Sequence, residues 1–210
     1  LGDVAMARRQ SAAAIDAYRK AHELEASTAS LIRLYRALSS QDNAAPALRL
    51  AEQWLKKFPT DLSVQKALAD GYARTGDYKA ARQAYEAALK LNADDAETLN
   101  NLANVQVRLK DPGAVKTAEA ALASAPGNAL IIDTLGWALF NNGQSERALQ
   151  LLRDARLRQP ANPEIRYHLA TVLAQTGRKN EAKDELRAAL KDRPDFEARA
   201  EAEKLLASLE

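Results

Sequence analysis

Side chains that commonly do covalent chemistry are scarce in this chain. It holds two histidines, His22 and His168, and no cysteine. That excludes a thiolate nucleophile, a thiolate metal site and a disulfide. No glycine-rich phosphate loop, G-x-S-x-G elbow or H-E-x-x-H helix occurs in it. The carboxylate pair Asp184 and Glu185 stands among Lys183 and Arg187, a pattern that reads as a solvated charged face. What remains is the chemistry of recognition. Asn100, Asn101 and Asn104 are followed one turn later by Arg108, and a carboxamide both donates and accepts, so it can pair with a peptide backbone in either direction. Trp137 and Phe140 share one side of a helix, with Tyr167 as the nearest further aromatic; together they make a candidate apolar anchor. The expectation is a binding protein with no catalytic residue, no metal and no cofactor.

These side chains must be positioned by helices. The chain is 47% hydrophobic and 28% charged, has eight glycines, and shows no strand-like alternation of β-branched residues. Its dominant feature is a period of about 34 residues. Pro59, Pro126, Pro160 and Pro194 recur on that period, with Ala93 in the place the first interval skips. Ala14, Ala47, Ala81, Ala114, Ala148 and Ala182 form a second column, and Ala21, Ala88, Ala121, Ala155 and Ala189 a third, broken by Trp54. The two alanine columns lie two helical turns apart and so share a face. Trp54 reads as a packing adaptation at a site of close helix approach. Asp61, Asp95, Asn128 and Asn162 stand where they can cap the first helix of a unit, and Pro163 occupies a first helical position.

The period and its columns resemble the tetratricopeptide repeat (TPR). The block 129–162 carries Leu135, Gly136, Gly143, Ala148, Leu152, Ala155 and Pro160. The block 62–95 carries Leu68, Ala69, Tyr72, Gly76, Ala81, Tyr85 and Ala88, and 163–196 carries Leu169, Ala170, Gly177, Ala182, Leu186, Ala189 and Pro194. The remaining blocks are 28–61 and 96–128, the latter one residue short with Asp111-Pro112-Gly113 at its inter-helix turn. The resemblance implies an all-α, right-handed superhelical solenoid of antiparallel helix pairs forming a single domain over 1–210. It would contain about five full repeats, a truncated first repeat over 1–27, and a capping helix over 197–209. The expectation is a longer protein, because a first unit without its leading positions reads as that of a fragment. Its open half-repeat is a route to self-association.

In this family the first helix of each repeat lines an inner surface. Carried onto this sequence, the ligand-binding groove comprises Arg36, Lys66, Asp70, Arg74, Asn100, Asn101, Asn104, Arg108, Asp133, Trp137, Phe140, Asn141, Tyr167, His168 and Thr171. The segment Leu99-Asn100-Asn101-Leu102-Ala103-Asn104 resembles asparagine-bearing helices of peptide-binding repeats, including those of O-linked glycosyltransferases. At the position of Asn101, however, other blocks hold Arg33, Ala67, Thr134 and His168, so the asparagine ladder does not continue. A carboxylate clamp is disfavoured because Asp70 would repel a terminal carboxylate. His168 reads as a partly exposed groove residue without a chemical role, and His22 as a residue of an outer helix.

Basic and acidic residues number 30 and 28, for a net charge of +2. They alternate instead of forming the basic stripe that phosphate contacts need, so nucleic acid is not an expected partner. No stretch reaches the ~20 apolar residues of a membrane span, and the best candidate, 129–140, contains Asp133. The order of distinct repeats, with Asp133-Thr134-Leu135-Gly136-Trp137 and Pro163-Glu164-Ile165-Arg166-Tyr167-His168, resembles the TPR lipoproteins of bacterial exosortase, or PEP-CTERM, systems. That resemblance implies a periplasmic, outer-membrane-anchored protein linked to exopolysaccharide production and protein sorting, with its anchoring cysteine upstream of Leu1. Cytoplasm is the alternative compartment. The leading expectation is a non-catalytic scaffold that holds a protein or peptide partner in its groove. An accessory scaffold of a polysaccharide-synthesis or export enzyme, and a structural spacer, are the competing readings.

Overall fold

The structure, a computed structural model, describes residues 1–41, 43–191 and 196–210. Pro194 of the proline column lies outside the described residues. The described residues form thirteen helices: α1 (Gly2–Ala7), α2 (Ser11–Leu24), α3 (Thr28–Ser39), α4 (Ala45–Lys57), α5 (Leu62–Arg74), α6 (Tyr78–Leu91), α7 (Ala96–Arg108), α8 (Ala114–Ser124), α9 (Ala129–Asn141), α10 (Ser145–Arg158), α11 (Pro163–Gln175), α12 (Lys179–Leu190) and α13 (Arg199–Leu209). No strand occurs among them. The helices fall into two compact units, Leu1–Val105 and Gln106–Glu210. Within each unit, short turns join helices into packed hairpins such as α5 with α6, α9 with α10 and α11 with α12.

Local chemistry fixes where the helices start and stop. The Asp61 carboxylate accepts from the Val64 N–H, Asp95 from Thr98, Asn128 from Leu130, and Asn162 from Glu164 and Ile165. Each bond satisfies a backbone donor that the first turn leaves unpaired. At the turn inside a hairpin, Gly76, Gly143 and Gly177 take left-handed φ values of 80°, 79° and 81°. The chain there closes with paired bonds such as Gly76 N–H to Ala73 O and Asp77 N–H to Tyr72 O. In the shortened repeat the same two bonds run from Lys110 to Val107 and from Asp111 to Gln106, and Lys110 carries the left-handed φ of 55°. The glycine of Asp111-Pro112-Gly113 is not the reversing residue; Gly113 has φ −67° and caps α8.

Packing follows the alanine columns. Ala14, Ala47, Ala81, Ala114, Ala148 and Ala182 are buried, as are Ala88, Ala121, Ala155 and Ala189. Ala21 departs from its column and is exposed, while its neighbour His22 packs against Trp54 at 5.6 Å and bonds Ser30 Oγ at 2.8 Å. Trp54 fills its alanine site with a buried indole. Its Nε1–H donates to Asp61 Oδ2 at 2.8 Å, the carboxylate that also caps α5 and accepts from Thr28. The substitution therefore couples consecutive repeats through a hydrogen bond that alanine cannot make. Where helices approach most closely the sequence thins out: a Cβ on Gly136 would meet Leu152 Cγ at 2.8 Å, and one on Gly71 would meet the Tyr35 hydroxyl at 2.1 Å.

Candidate functional site

In unit 1 the expected groove residues are largely engaged with one another. Lys66 Nζ lies 3.2 Å from Asp95 and 2.7 Å from Glu97. Burial pulls the Lys66 ammonium pKa down, but these carboxylates more than offset it and leave it raised. Asp95 is the mirror case: burial pushes it up, while hydrogen bonding by Thr98 and the charge of Lys66 bring it below the usual carboxylate value. Asp70 is exposed yet accepts from the Tyr85 hydroxyl at 2.5 Å and from Asn101 Nδ2 at 3.3 Å. Asn100 donates to Asn101 at 3.4 Å, leaving its own Oδ1 buried without a partner among the described residues. Asn104 is partly buried further along the same helix, and Arg36 and Arg74 are exposed.

Unit 2 assembles a different surface. Asp133, on α9, is buried and holds His168 of α11 through its Nδ1, at 2.9 and 3.0 Å to the two carboxylate oxygens. That bond sets the imidazole flat against the indole of Trp137, with ring centroids 4.2 Å apart and planes 15° from parallel. Phe140 lies 5.3 Å from the same indole and Tyr167 6.2 Å from it. His168 is thus not an isolated groove side chain; it is part of a four-ring wall oriented by a buried carboxylate. Asn141 donates to Trp137 O at 2.8 Å, and the Thr171 hydroxyl to Tyr167 O at 2.9 Å, so both polar groups are satisfied on their own helices. Trp137, Phe140 and Tyr167 remain partly exposed.

Charges surround this wall. Arg108, at the end of α7, pairs with Glu197. Glu164 lies partly buried in the first turn of α11. Burial raises its carboxyl pKa, as do Glu197 and Asp133, against the lowering influence of His168 and Arg108. The Tyr167 phenol is likewise raised, first by burial and then by Glu201 and Glu164, with Thr171 and Arg108 acting in the opposite sense. Glu164 is not among the expected groove residues, although it lies on the same first helix as Tyr167, His168 and Thr171.

Glu185 corrects a further expectation. It is buried, not solvated, and it sits between Arg156, at 2.9 Å, and Arg166. Glu185 belongs to α12, Arg156 to α10 and Arg166 to α11, so this ion group ties three helices together. Among the described residues no group of three His, Cys, Asp or Glu side chains could hold a metal ion, and no helix is long and apolar enough to cross a membrane.

Comparisons with known proteins bear on these surfaces. A family described as "Tetratricopeptide repeat" matches residues 139–209, and one described as "TPR repeat" matches 69–110. Cellulose synthase operon protein C of Pseudomonas fluorescens (strain SBW25) is 30% identical over 131 residues, 60% of this chain but 10% of that protein's length. Among solved structures, YrrB, described as a TPR protein with an unusual peptide-binding site, superposes with TM-score 0.64 at 21% identity, covering 90% of this chain and 99% of its own. Cut9–Hcn1 of the APC/C superposes with TM-score 0.78 at 16% identity, covering 99% of this chain and 41% of its own. At these identities the structural likeness speaks for the fold alone.

Proposed function

Because the chain belongs to the tetratricopeptide repeat family, whose repeats serve as protein-interaction scaffolds, we propose that it is a non-catalytic scaffold holding a peptide or extended segment of a partner protein. The observation that carries this reading is the wall of Trp137, Phe140, Tyr167 and His168. Its rings stay partly exposed side by side instead of being closed into the core. Aromatic groups of this kind carry much of the energy of protein interfaces. Within unit 2, Arg108, Asp133, Asn141 and Thr171 would shape the surroundings of this wall; Asn100, Asn101 and Asn104, with Arg36, Lys66, Asp70 and Arg74, would make a separate polar surface on unit 1.

The setting we propose is a bacterial envelope assembly for exopolysaccharide, with the full-length protein periplasmic and anchored to the outer membrane. The resemblance to exosortase-system TPR lipoproteins and the identity shared with a cellulose synthase operon protein both support a polysaccharide context. The same relative favours a second reading, in which these repeats are a scaffold segment of a larger synthesis or export protein. Capture from a Gram-negative envelope extract tests the proposal. Wild-type protein should retain a partner that Trp137→Ala loses while keeping its unfolding midpoint within a few degrees. Equal capture by both proteins would move the interaction away from the aromatic wall.

A further inference from the structure

The Glu164 carboxylate is partly buried at the start of α11, where His168, Glu197, Asp133 and Arg108 are the groups that act on it. The groups that could answer it are committed elsewhere: Arg108 pairs with Glu197, and the His168 ring is held by Asp133. Glu201 adds a further negative charge near Tyr167. The charge left over at this edge of the wall is therefore negative, and it lies against aromatic rings.

Resting on the scaffold reading above, we infer that the aromatic wall of unit 2 takes a partner segment presenting an arginine beside an apolar side chain. The guanidinium would lie on the indole or phenol and form charge-assisted bonds to Glu164, and the apolar neighbour would meet Phe140. Arginine suits this position better than lysine. Its planar fork matches a carboxylate, it stacks on aromatic faces, and it is more weakly hydrated than an ammonium. Burial and the neighbouring carboxylates already raise the Glu164 carboxyl; an incoming cation offsets the influence of those carboxylates, which an acidic or neutral segment cannot do.

The probes are three short peptides of equal length: alternating leucine–arginine, leucine–glutamine and leucine–glutamate. Binding is followed by the indole N–H resonances in 15N-labelled protein, where Trp54, buried in the other unit, serves as an internal control. The arginine peptide should move the Trp137 resonance and leave Trp54 in place. It should bind about tenfold tighter than the glutamine peptide and weaken by about fivefold in Glu164→Gln, and raised salt should weaken it too. Equal binding of the glutamine peptide, or no effect of Glu164→Gln, overturns the inference while leaving a peptide-binding wall intact. If no peptide moves the Trp137 resonance, the inference falls as well, and the scaffold reading is then decided by the envelope capture.

Discussion

Replacing Gly71 by alanine sets two effects of opposite sign against each other. The residue lies within α5, where helix propensity alone favours alanine by about 1 kcal/mol. A methyl there would stand 2.1 Å from the Tyr35 hydroxyl and 2.7 Å from Leu48 Cδ2. Tyr35 cannot easily give way, because it is 5% exposed and its hydroxyl donates to Ala67 O at 2.6 Å. Overpacking costs about 1–3 kcal/mol, and displacing a buried hydroxyl from its acceptor about 1–3 kcal/mol. Steric and hydrogen-bond losses therefore win, by about 2 kcal/mol net, which lowers Tm by roughly 4–8 °C in a chain of this size. Urea unfolding followed by Trp54 fluorescence is the assay, since Trp54 packs in the same cluster as Tyr35. Tyr35→Phe removes the nearest atom and costs about 1 kcal/mol alone; in its background Gly71→Ala should cost about 1 kcal/mol less than in wild type. A higher midpoint for Gly71→Ala, or strict additivity of the pair, would refute the close contact between α3 and α5.

Three further outcomes are expected. Lys110→Gly should stabilise the protein by about 0.5–1 kcal/mol, because a lysine now holds the left-handed turn that glycine holds in other repeats; a lower urea midpoint would contradict this. Glu185→Ala should cost about 3 kcal/mol by leaving the largely buried Arg166 uncompensated, and Arg156→Ala, removing a more exposed partner, only about 1 kcal/mol; equal losses in thermal unfolding would count against a buried ion group. At high pH the tyrosines decide. Burial and Glu52 push the Tyr72 phenol up to about 12, and burial and Asp70 raise Tyr85 as well. The native state thus keeps protons that the unfolded chain sheds near pH 10, so this stability is whole below about pH 10 and is lost as pH rises toward the native values. Urea midpoints should fall between about pH 9 and about pH 11, with tyrosinate absorbance lagging behind that of the unfolded chain; unchanged midpoints would contradict the assignment.

Features written within one helix were legible in the sequence. The caps at Asp61, Asp95, Asn128 and Asn162, the alanine columns, buried except at Ala21, and the helix starts at Thr28, Leu62, Ala96, Ala129 and Pro163 follow from local hydrogen bonding and helical period. Less legible were pairings between helices. The contact of His168 with Asp133 spans 35 residues and that of Lys66 with Asp95 spans 29, so neither shows in a local window, although both are offsets of about one repeat. Glu185 read as solvated because its sequence neighbours are charged; its burial depends on α10 and α11 bringing in Arg156 and Arg166. The place of Asp111-Pro112-Gly113 at the inter-helix turn was legible, but not that Lys110, just before it, takes the left-handed conformation that closes the α7 turn.

The proposed function places the partner on the aromatic wall of unit 2. A photo-crosslinking residue placed at Asn141, exposed next to Trp137, tests it most directly against one at Lys179, exposed at the start of α12. A discrete adduct in the native envelope is expected from position 141, abolished by Trp137→Ala, and none from position 179. An adduct from position 179 alone, or one from position 141 that survives Trp137→Ala, would contradict it.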